Sequence, residues 1–460
     1  MTAFAPPDRA AARLESLLGS DNVLTSPASE VAGVRPRLEV FPADTEKLAA
    51  VLALAGELGL TVCPAGGGTK LGWGAPPRSC DLLVRTVPHA HESGALAAVT
   101  EYDPETLTLA AGSGARIADL QALAAADDLL LPLDSPLAYA ATLGGVAATN
   151  DHGPRRLRYG SLRDVVLGVK AVLAGGERIK AGGRTIKNVT GYDLTRLFVG
   201  SFGSLGVMSE ITVRLLPRPE CGQLAVAALP DMETASRVVM AILTSQLEPT
   251  ALSLVSPALG GLLRGEAPDL LAAPEGALTL VVAAEGHPAA VQRHMRDVAT
   301  LADGSPVSVV ESPAAVQAVW TGLAEVRSLA RRAGYGFEAK IAAPLAGIWP
   351  LLEAFSTAPE AVWLADVGCG TAGLWLRSGI AGGDAGDDAG DESTAAFVLS
   401  LRARATRLGG SLVIVQSHLR TVPALDPWGA HPDGLELMRR LKRRFDPLGL
   451  LNPGRNVGGI

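Results

Sequence analysis

The stretch PAGGGTKLGWG, residues 64–74, decides how the whole sequence is interpreted. It contains five glycines and a single charged residue, Lys70. Glycine clusters of this kind let a backbone approach a phosphate group closely. The stretch matches neither G-x-x-x-x-G-K-[ST] nor G-x-G-x-x-G, which argues against a nucleoside-triphosphate loop and against a Rossmann dinucleotide loop.

The segments around this loop alternate between helix and strand signals. ADTEKLAAVLALAGELGL predicts an amphipathic helix that Asp44 caps and Gly59 ends, and LTVCPA predicts the strand that leads into the loop. LLVRTV predicts a strand, TLTLAAGSGARIADLQALAAAD a strand, a glycine turn and a helix, and DVVLGVKAVLAGGERIKAGG a hairpin. Such alternation with short connections indicates α and β elements packed on one another.

Two further glycine clusters follow the first. ATLGGVAATNDHG, residues 141–153, predicts the start of a short helix that Thr142 caps, and GSFGSLGVMSEITVRLLPRP, residues 200–219, predicts a strand that ends at a proline-rich linker. One such cluster is commonly a tight turn. Three of them at element junctions favour one extended ligand, whose phosphates backbone N–H groups would hold.

Composition excludes several classes of protein. The chain has 460 residues, 48% of them hydrophobic, and a net charge of −7. This length predicts two or three domains at roughly 100–200 residues each, and the negative charge argues against nucleic acid as a partner. No apolar run approaches the roughly 20 residues of a membrane-spanning helix, and the N-terminus lacks a secretion signal. We therefore expect a chain that does not itself span a membrane.

The four cysteines are widely dispersed. Cys63, Cys80, Cys221 and Cys369 form no C-x-x-C pair, which argues against a zinc ribbon or a cysteine-ligated iron–sulfur cluster within the chain. We expect a reduced cytoplasmic protein, associated with a membrane only through partners.

Together these motifs are similar to a known family. PAGGGTKLGWG and PLDSPLAYAATLGGVAATNDHGPRRLRYGSLRDVVLGVKAVLAGG resemble the FAD domain of the vanillyl-alcohol oxidase-type (PCMH-type) flavoproteins. GGRTIKNVTGYDLTRLFVGSFGSLGVMSEITVRLLP and the tail RRLKRRFDPLGLLNPGR resemble, within that family, the FAD-binding subunits E of bacterial glycolate oxidases. The resemblance covers roughly residues 35–218 and 430–457.

The resemblance implies an α+β fold in two parts, with FAD as cofactor. We expect an N-terminal helical segment at 1–34 and a PCMH-type FAD-binding domain at 35–218. A second α+β domain, with an antiparallel sheet plus helices and a substrate or cap role, would occupy 219–425 and carry an acidic surface loop at 382–392. A C-terminal helix and tail at 426–460 would pack back on the FAD domain.

The resemblance also implies which residues contact FAD. The pyrophosphate would be wrapped by Ala65, Gly66, Gly67, Gly68, Thr69, Lys70 and Leu71. Lying along the pyrophosphate and flavin would be Ala141, Thr142, Leu143, Gly144 and Gly145, with Asp134 and Ser135 near them and Ala148 and Tyr159 at the isoalloxazine. The adenine end would be bordered by Gly206, Val207 and Ile211, and Asn452 and Arg455 would return from the tail. Leu71, Leu143 and Ile211 fit an ordinary core equally well.

Two departures from the family pattern affect the chemistry. Thr69 stands where many relatives have a histidine that tethers the flavin, so we expect non-covalent FAD. ADVGCGTAGLW, residues 365–375, lacks both histidines of the metal-binding H-x-G-D-G-N-x-H-like stretch of related hydroxyacid dehydrogenases. Asp366 alone is a poor metal ligand, so we expect no catalytic metal.

The catalytic residues are not identified by the sequence. His152 lies near the second glycine cluster, where a structural role is commoner than a flavin contact. His418, with Arg420 close by, fits a base beside a carboxylate-binding arginine, or simply a strand end and a surface arginine.

Three functions remain compatible with these features. The first is a subunit of a 2-hydroxyacid-oxidising complex, such as a glycolate oxidase, beside a second flavin subunit and an iron–sulfur subunit. The second is a self-sufficient FAD dehydrogenase or oxidase of a small hydroxyacid or alcohol. The third is a non-catalytic scaffold that keeps FAD only for folding. The missing histidines favour the first and third.

Overall fold

The described residues form two compact units. The computed structural model describes residues 7–89, 94–184, 192–265, 274, 276–358, 361–377, 388–417 and 425–460. The first unit consists of Met1–His152, Gly160–Arg218 and His431–Ile460, and the second of Gly153–Tyr159 and Pro219–Ala430. The expected two-part α+β architecture is confirmed.

Helices and strands occur in both units. The helices of the described residues are α1 (Pro7–Leu18), α2 (Thr45–Leu58), α3 (Ile117–Ala126), α4 (Leu143–Thr149), α5 (Arg156–Tyr159), α6 (Leu162–Val165), α7 (Leu194–Phe198), α8 (Met232–Thr244), α9 (Pro257–Leu263), α10 (Pro288–Leu301), α11 (Pro313–Ala324), α12 (Val326–Arg332), α13 (Leu345–Ser356), α14 (Asp388–Arg407) and α15 (Leu435–Phe445). The strands there are β1 (Val23–Leu24), β2 (Leu38–Val40), β3 (Val62–Ala65), β4 (Leu82–Arg85), β5 (Val99–Asp103), β6 (Thr108–Gly112), β7 (Leu129–Leu130), β8 (Val166–Val172), β9 (Arg178–Gly182), β10 (Val207–Arg214), β11 (Leu216–Pro217), β12 (Cys221–Leu229), β13 (Ala251–Val255), β14 (Leu278–Gly286), β15 (Val307–Val310), β16 (Phe337–Ala342), β17 (Val362–Asp366), β18 (Thr371–Leu376) and β19 (Ser411–Gln416).

The first unit contains a small, mostly parallel sheet in the order β1-β2-β4-β3. Strands β2 and β3, which α2 connects along the chain, both pair parallel to β4, and β1 pairs antiparallel to β2. The predicted helix is confirmed, because the Asp44 side chain accepts a hydrogen bond from Lys47 N at 2.7 Å and Gly59 ends α2 at a φ of 66°. Only glycine adopts this left-handed backbone without strain. The helix therefore ends where β3 must begin.

A five-stranded antiparallel sheet, in the order β5-β6-β10-β8-β9, completes most of the first unit. The predicted hairpin is confirmed as β8 and β9, with Val172 opposite Arg178. Buried side chains of β6, β8 and β10 pack against α3 and α4 in one core. This packing fixes the start of α4, which faces the glycine loop after β3.

The second unit is one eight-stranded antiparallel sheet, in the order β15-β12-β14-β13-β17-β18-β16-β19. Its strands are buried on both faces, as β12 shows: Ala225, Ala227 and Leu229 pack in one core, and Leu224 and Val226 in another. Helices α8, α10, α13 and α14 cover the first face, and α9, α11 and α12 the second. Double coverage explains the nearly continuous apolar runs of these strands.

The acidic segment at 382–392 differs from its prediction. Residues 382–387 lie outside the described residues, but α14 begins at Asp388, so 388–392 are helical rather than a loop. The buried side chains of Val398, Leu401 and Ala405 recur at helical spacing and pack in the core with the sheet. Their burial stabilises a helix that extends back into the acidic residues, which composition alone does not reveal.

The C-terminal helix and tail belong to the first unit. Lys442 Nζ donates to Asp446 Oδ2 at 2.6 Å, to Leu451 O at 2.7 Å and to Ser204 O at 2.8 Å. Burial lowers the pKa of this lysine, and the Asp446 carboxylate opposes the shift. The tail then runs beside β3, since Val62 N donates to Leu450 O and Asn452 N donates to Val62 O, both at 2.8 Å.

A search of the described residues for membrane-spanning segments gave none: no helix there combines the length and the apolar character that a bilayer crossing requires.

Candidate functional site

A cavity of about 690 Å³ lies within the first unit. This volume includes the open space at the mouth of the cavity, so the chemistry of the walls, and not the size, is what indicates a ligand. Its walls come from the glycine loop, from α4, from the segment before and within β10, and from the tail. They are Pro64, Ala65, Gly66, Gly67, Gly68, Thr69, Lys70, Leu71, Thr86, Ser113, Thr142, Gly144, Gly145, Ala148, Thr149, Phe202, Gly203, Gly206, Val207, Met208, Asn452 and Arg455.

The glycine loop packs directly against the turn before α4. A Cβ atom on Gly66 would lie 2.0 Å from Thr142 Oγ1, and one on Gly67 would lie 1.8 Å from Ala140 O. Real Cβ atoms essentially never approach so closely. These two positions therefore require glycine for the contact between the two loops.

The loop leaves a row of backbone donors at the cavity wall. Across the described part of the chain, no protein atom accepts a hydrogen bond from the N–H groups of Gly66, Gly67, Gly68 or Thr69. Successive N–H groups in such a loop form a concave site for an anion. The loop therefore fits the FAD diphosphate by the chemistry of its donor set.

Gly144 and Gly145, in the second glycine cluster, have a different role from the glycines of the loop. Thr142 caps α4, as predicted, because its Oγ1 accepts a hydrogen bond from Gly145 N at 3.3 Å. Gly144 N donates to Ser113 O at 2.7 Å, and Leu143 N donates to Ala115 O at 2.9 Å. The N–H groups at this helix start are thus used within the protein, and the pair shapes the wall by close packing.

Lys70 is held in a buried ion pair. Its ammonium lies 3.3 Å from Asp151 Oδ2, and the side chains of Lys70 and Asp151 are 6% and 0% exposed. Ser135 Oγ lies 3.4 Å from the same Asp151 oxygen and donates to it. Lys70 lines the cavity and Asp151 does not, so the positive end of the pair is at the wall.

The tail supplies the remaining wall. Arg455 Nη2 donates to Leu71 O at 2.9 Å and to Trp73 O at 2.5 Å, which ties the glycine loop to the C-terminus. Burial lowers the pKa of Arg455, while the nearby Cys63 and Cys80 oppose the shift. Asn452 Nδ2 donates to Phe202 O at 2.5 Å, so the tail also holds the segment before β10.

The structure places most of the sequence-predicted residues together. Those that line the cavity are Ala65, Gly66, Gly67, Gly68, Thr69, Lys70, Leu71, Thr142, Gly144, Gly145, Ala148, Gly206, Val207, Asn452 and Arg455. Ala141, Leu143 and Ile211 are buried in the core behind the wall. Ser135 donates a hydrogen bond to Asp151, which pairs with the wall residue Lys70. Asp134, the residue before Ser135, is half-buried. Their contacts with FAD remain predictions.

Tyr159 lies in the second unit. Its hydroxyl donates to Glu285 Oε2 at 2.7 Å, and Arg155 Nη2 lies 3.0 Å from Glu285 Oε1. Burial, reinforced by the Glu285 carboxylate, raises the pKa of Tyr159. The observed contacts tie α5 to β14.

Several wall residues were not predicted from the sequence. They are Pro64, Thr86, Ser113, Thr149, Phe202, Gly203 and Met208, and Asp151 supports the wall from behind. Gly203 and Phe202 stand in the third glycine cluster, which the sequence already indicated as part of a ligand-binding site. Ser113 stands in the glycine turn AAGSGARIADL, whose spacing did not distinguish it from an ordinary strand–helix connection.

The remaining candidates from the sequence are two histidines and the aspartate of the stretch compared with a metal site. His152 is half-buried in the first unit, and Asp366 accepts a hydrogen bond from Ser253 Oγ at 2.8 Å in the second. Among the described residues, no group of three or more His, Cys, Asp or Glu side chains could hold a metal ion. His418 and Arg420 lie outside the described residues.

Valine at Gly67 or at Gly144 should lower the amount of FAD bound per chain. The new side chain would collide with Ala140 O in one case and, in the other, with Ser113, whose Cβ would be 2.6 Å from the new Cβ. Overpacking costs typically 1–3 kcal/mol. Flavin absorbance per purified chain measures the loss. Gly175→Val is the matched control, because nothing lies within 4 Å of a Cβ there, and equal FAD content in all three variants would contradict the placement.

Asp151→Asn should destabilise the fold strongly. It leaves the buried Lys70 ammonium without its counter-charge, and breaking a buried pair costs about 3–5 kcal/mol. Urea unfolding measures the change in the free energy of unfolding. Asp297→Asn is the control, because the Arg293–Asp297 pair at 3.2 Å has side chains 56% and 42% exposed and exposed pairs contribute about 0–1 kcal/mol. Similar losses in both variants would show that the Lys70 pair is not isolated from solvent.

Comparison with known proteins identifies the family. Residues 36–182 match the family model described as FAD binding domain. Residues 218–456, more than half of the chain, match the model described as FAD linked oxidases, C-terminal domain.

Two curated relatives and one solved structure extend this match. The chain is 27% identical to glycolate oxidase subunit GlcD of Bacillus subtilis over 91% of this chain and 88% of the relative. It is 42% identical to glycolate oxidase subunit GlcE of Escherichia coli over 26% of this chain and 35% of the relative. A substrate-bound crystal structure of p-cresol methylhydroxylase matches with a TM-score of 0.71 at 16% identity, over 97% of this chain and 96% of that one.

These matches confirm the resemblance to PCMH-type flavoproteins, and the solved structure shows a shared fold. The matching family models are those of FAD-binding proteins, and the backbone donors at the cavity wall fit the FAD diphosphate. FAD is therefore the cofactor. The chain therefore belongs to the FAD-linked oxidases and is an FAD-dependent oxidoreductase.

Proposed function

We propose that this chain is the FAD-binding subunit of a complex that oxidises glycolate or another short 2-hydroxyacid. The observation that carries the proposal is the similarity to two glycolate oxidase subunits, one of them over 91% of the chain. The cavity of the first unit supplies the place for FAD. The proposed location is cytoplasmic, with any membrane association made through partners.

The wall residues would hold the cofactor in defined ways. The N–H groups of Gly66, Gly67, Gly68 and Thr69 would bind the diphosphate, and Lys70 would add a positive charge beside them. When bound, FAD accepts two electrons from the substrate and can release them singly. Gly144 and Gly145 would keep the wall close enough for the flavin to pack on backbone.

Electron transfer out of this chain would need a partner. The four cysteines, all within the described residues, form no disulfide; Cys63 and Cys80 are buried, and Cys221 and Cys369 are half-buried. The described residues offer no set of ligands for a cluster. We therefore assign the iron–sulfur cluster of the proposed complex to a partner subunit, which works beside a second flavin subunit.

FAD should be bound without a covalent bond. Thr69 lines the cavity, and its Oγ1 accepts a hydrogen bond from Lys70 Nζ at 3.3 Å. A threonine has no ring nitrogen with which to form the histidyl linkage. Acid precipitation should release all the yellow colour into the supernatant, as it does for free FAD mixed with unrelated protein. Colour retained in the washed pellet would disprove non-covalent binding.

The isolated chain should reduce dyes only slowly with glycolate or D- or L-lactate, and co-expression with its partner subunits should restore activity. The reason is that the proposed path for single electrons lies in the partner. Dye reduction and co-elution of the subunits measure the effect. Turnover by the chain alone at ordinary enzyme rates, roughly 1–10³ s⁻¹, would instead favour a self-sufficient dehydrogenase.

A complex that contains the Gly67→Val chain serves as the control. Loss of activity together with loss of this chain's FAD would support a catalytic role. Full activity without this chain's FAD would favour the scaffold function.

A further inference from the structure

Two oxygen atoms on the cavity wall have no hydrogen-bond partner in the described part of the chain. They are Ser113 Oγ and Asn452 Oδ1, on side chains of residues only 1% and 2% exposed. Both residues line the cavity. A buried polar atom left unpaired costs roughly 1–3 kcal/mol, so such atoms in a cavity wall indicate a ligand that completes them.

The backbone of Ser113 is held in place by two hydrogen bonds. Its backbone N–H donates to Ser209 O at 3.0 Å, and its carbonyl accepts from Gly144 N at 2.7 Å. These bonds fix Ser113 between β10 and the first turn of α4. Close packing on Gly144, where a Cβ would lie 2.6 Å from the serine Cβ, prevents a compensating shift of α4.

The side-chain amide of Asn452 is oriented by the hydrogen bond that its nitrogen donates. Nδ2 donates to Phe202 O at 2.5 Å, which leaves Oδ1 as an acceptor. Phosphate oxygens are acceptors too, so Asn452 Oδ1 is unsuited to the FAD diphosphate. It needs an N–H or O–H group, and FAD carries both, on its sugar hydroxyls and on its ring systems.

We propose that Ser113 and Asn452 are cofactor-positioning residues, whose side-chain oxygens form hydrogen bonds to bound FAD. Asn452 accepts from an N–H or O–H group of FAD outside the diphosphate. The glycine loop would then hold the anionic centre of the cofactor, while Asn452 would hold a group outside the diphosphate and Ser113 would add a further hydrogen bond. This assignment depends on FAD alone and is independent of the substrate.

The test for Ser113 measures two quantities in the full-length chain freed of FAD. Ser113→Ala should weaken FAD binding roughly 2- to 10-fold, the value of one net hydrogen bond. The melting temperature of the FAD-free chain should stay the same or rise, because alanine removes an unpaired buried hydroxyl. A purely structural serine would give the opposite result: a lower melting temperature and unchanged FAD affinity, which would overturn the proposal.

Ser204→Ala is the matched control. Ser204 is 1% exposed, and its Oγ donates to Ser201 O at 2.6 Å, away from the cavity wall. This variant should lower the melting temperature of the FAD-free chain and leave the FAD dissociation constant unchanged. Equal behaviour of the Ser113 and Ser204 variants would refute a special role for Ser113.

The test for Asn452 uses Asn452→Gly, because glycine tolerates the φ of 45° at this position. The variant should bind FAD more weakly but should keep the wild-type affinity for inorganic pyrophosphate, measured by competition with FAD. Loss of affinity for FAD and pyrophosphate by the same factor would show that Asn452 only supports the glycine loop. Unchanged FAD affinity would also overturn the assignment.

Discussion

The close contact between the glycine loop and the turn before α4 is the constraint on which the site depends. Neither Gly66 nor Gly67 has room for a Cβ atom against Thr142 and Ala140. In this position the loop leaves four successive N–H groups, at Gly66 through Thr69, without a protein acceptor in the described structure. A bulkier loop would separate the two walls, and the backbone donors would no longer face a narrow cavity.

The electrostatics of the cavity follow from the same arrangement. The chain carries a net charge of −7, and the two cations at the wall are already engaged by the protein. Lys70 is paired with Asp151, and Arg455 binds the carbonyls of Leu71 and Trp73. Backbone dipoles would therefore supply most of the attraction for the diphosphate of FAD in the proposed site. Such a site would bind its anion without a basic surface that also attracts nucleic acid.

The C-terminal tail connects the parts that form the wall. Asn452 holds the segment before β10, Arg455 holds the glycine loop, and Lys442 joins α15 to the segment before β10. All three bonds cross more than two hundred residues of sequence. The tail is thus part of the cavity wall, although it follows the residues of the second unit in the chain.

The sequence by itself determined the α+β class, the helix caps at Asp44 and Thr142, the β8–β9 hairpin and the glycine-rich walls, because these depend on local spacing and backbone freedom. Only the tertiary structure decided which glycines keep an N–H group without a protein acceptor in the described residues, since Gly67 and Gly144 both pack closely on another segment but Gly144 N donates to Ser113 O. It also revealed Ser113 and Asp151, whose burial and partners come from segments distant in sequence. The acidic residues 388–392 became helical for the same reason, because their helix is stabilised by a core that the local composition does not show.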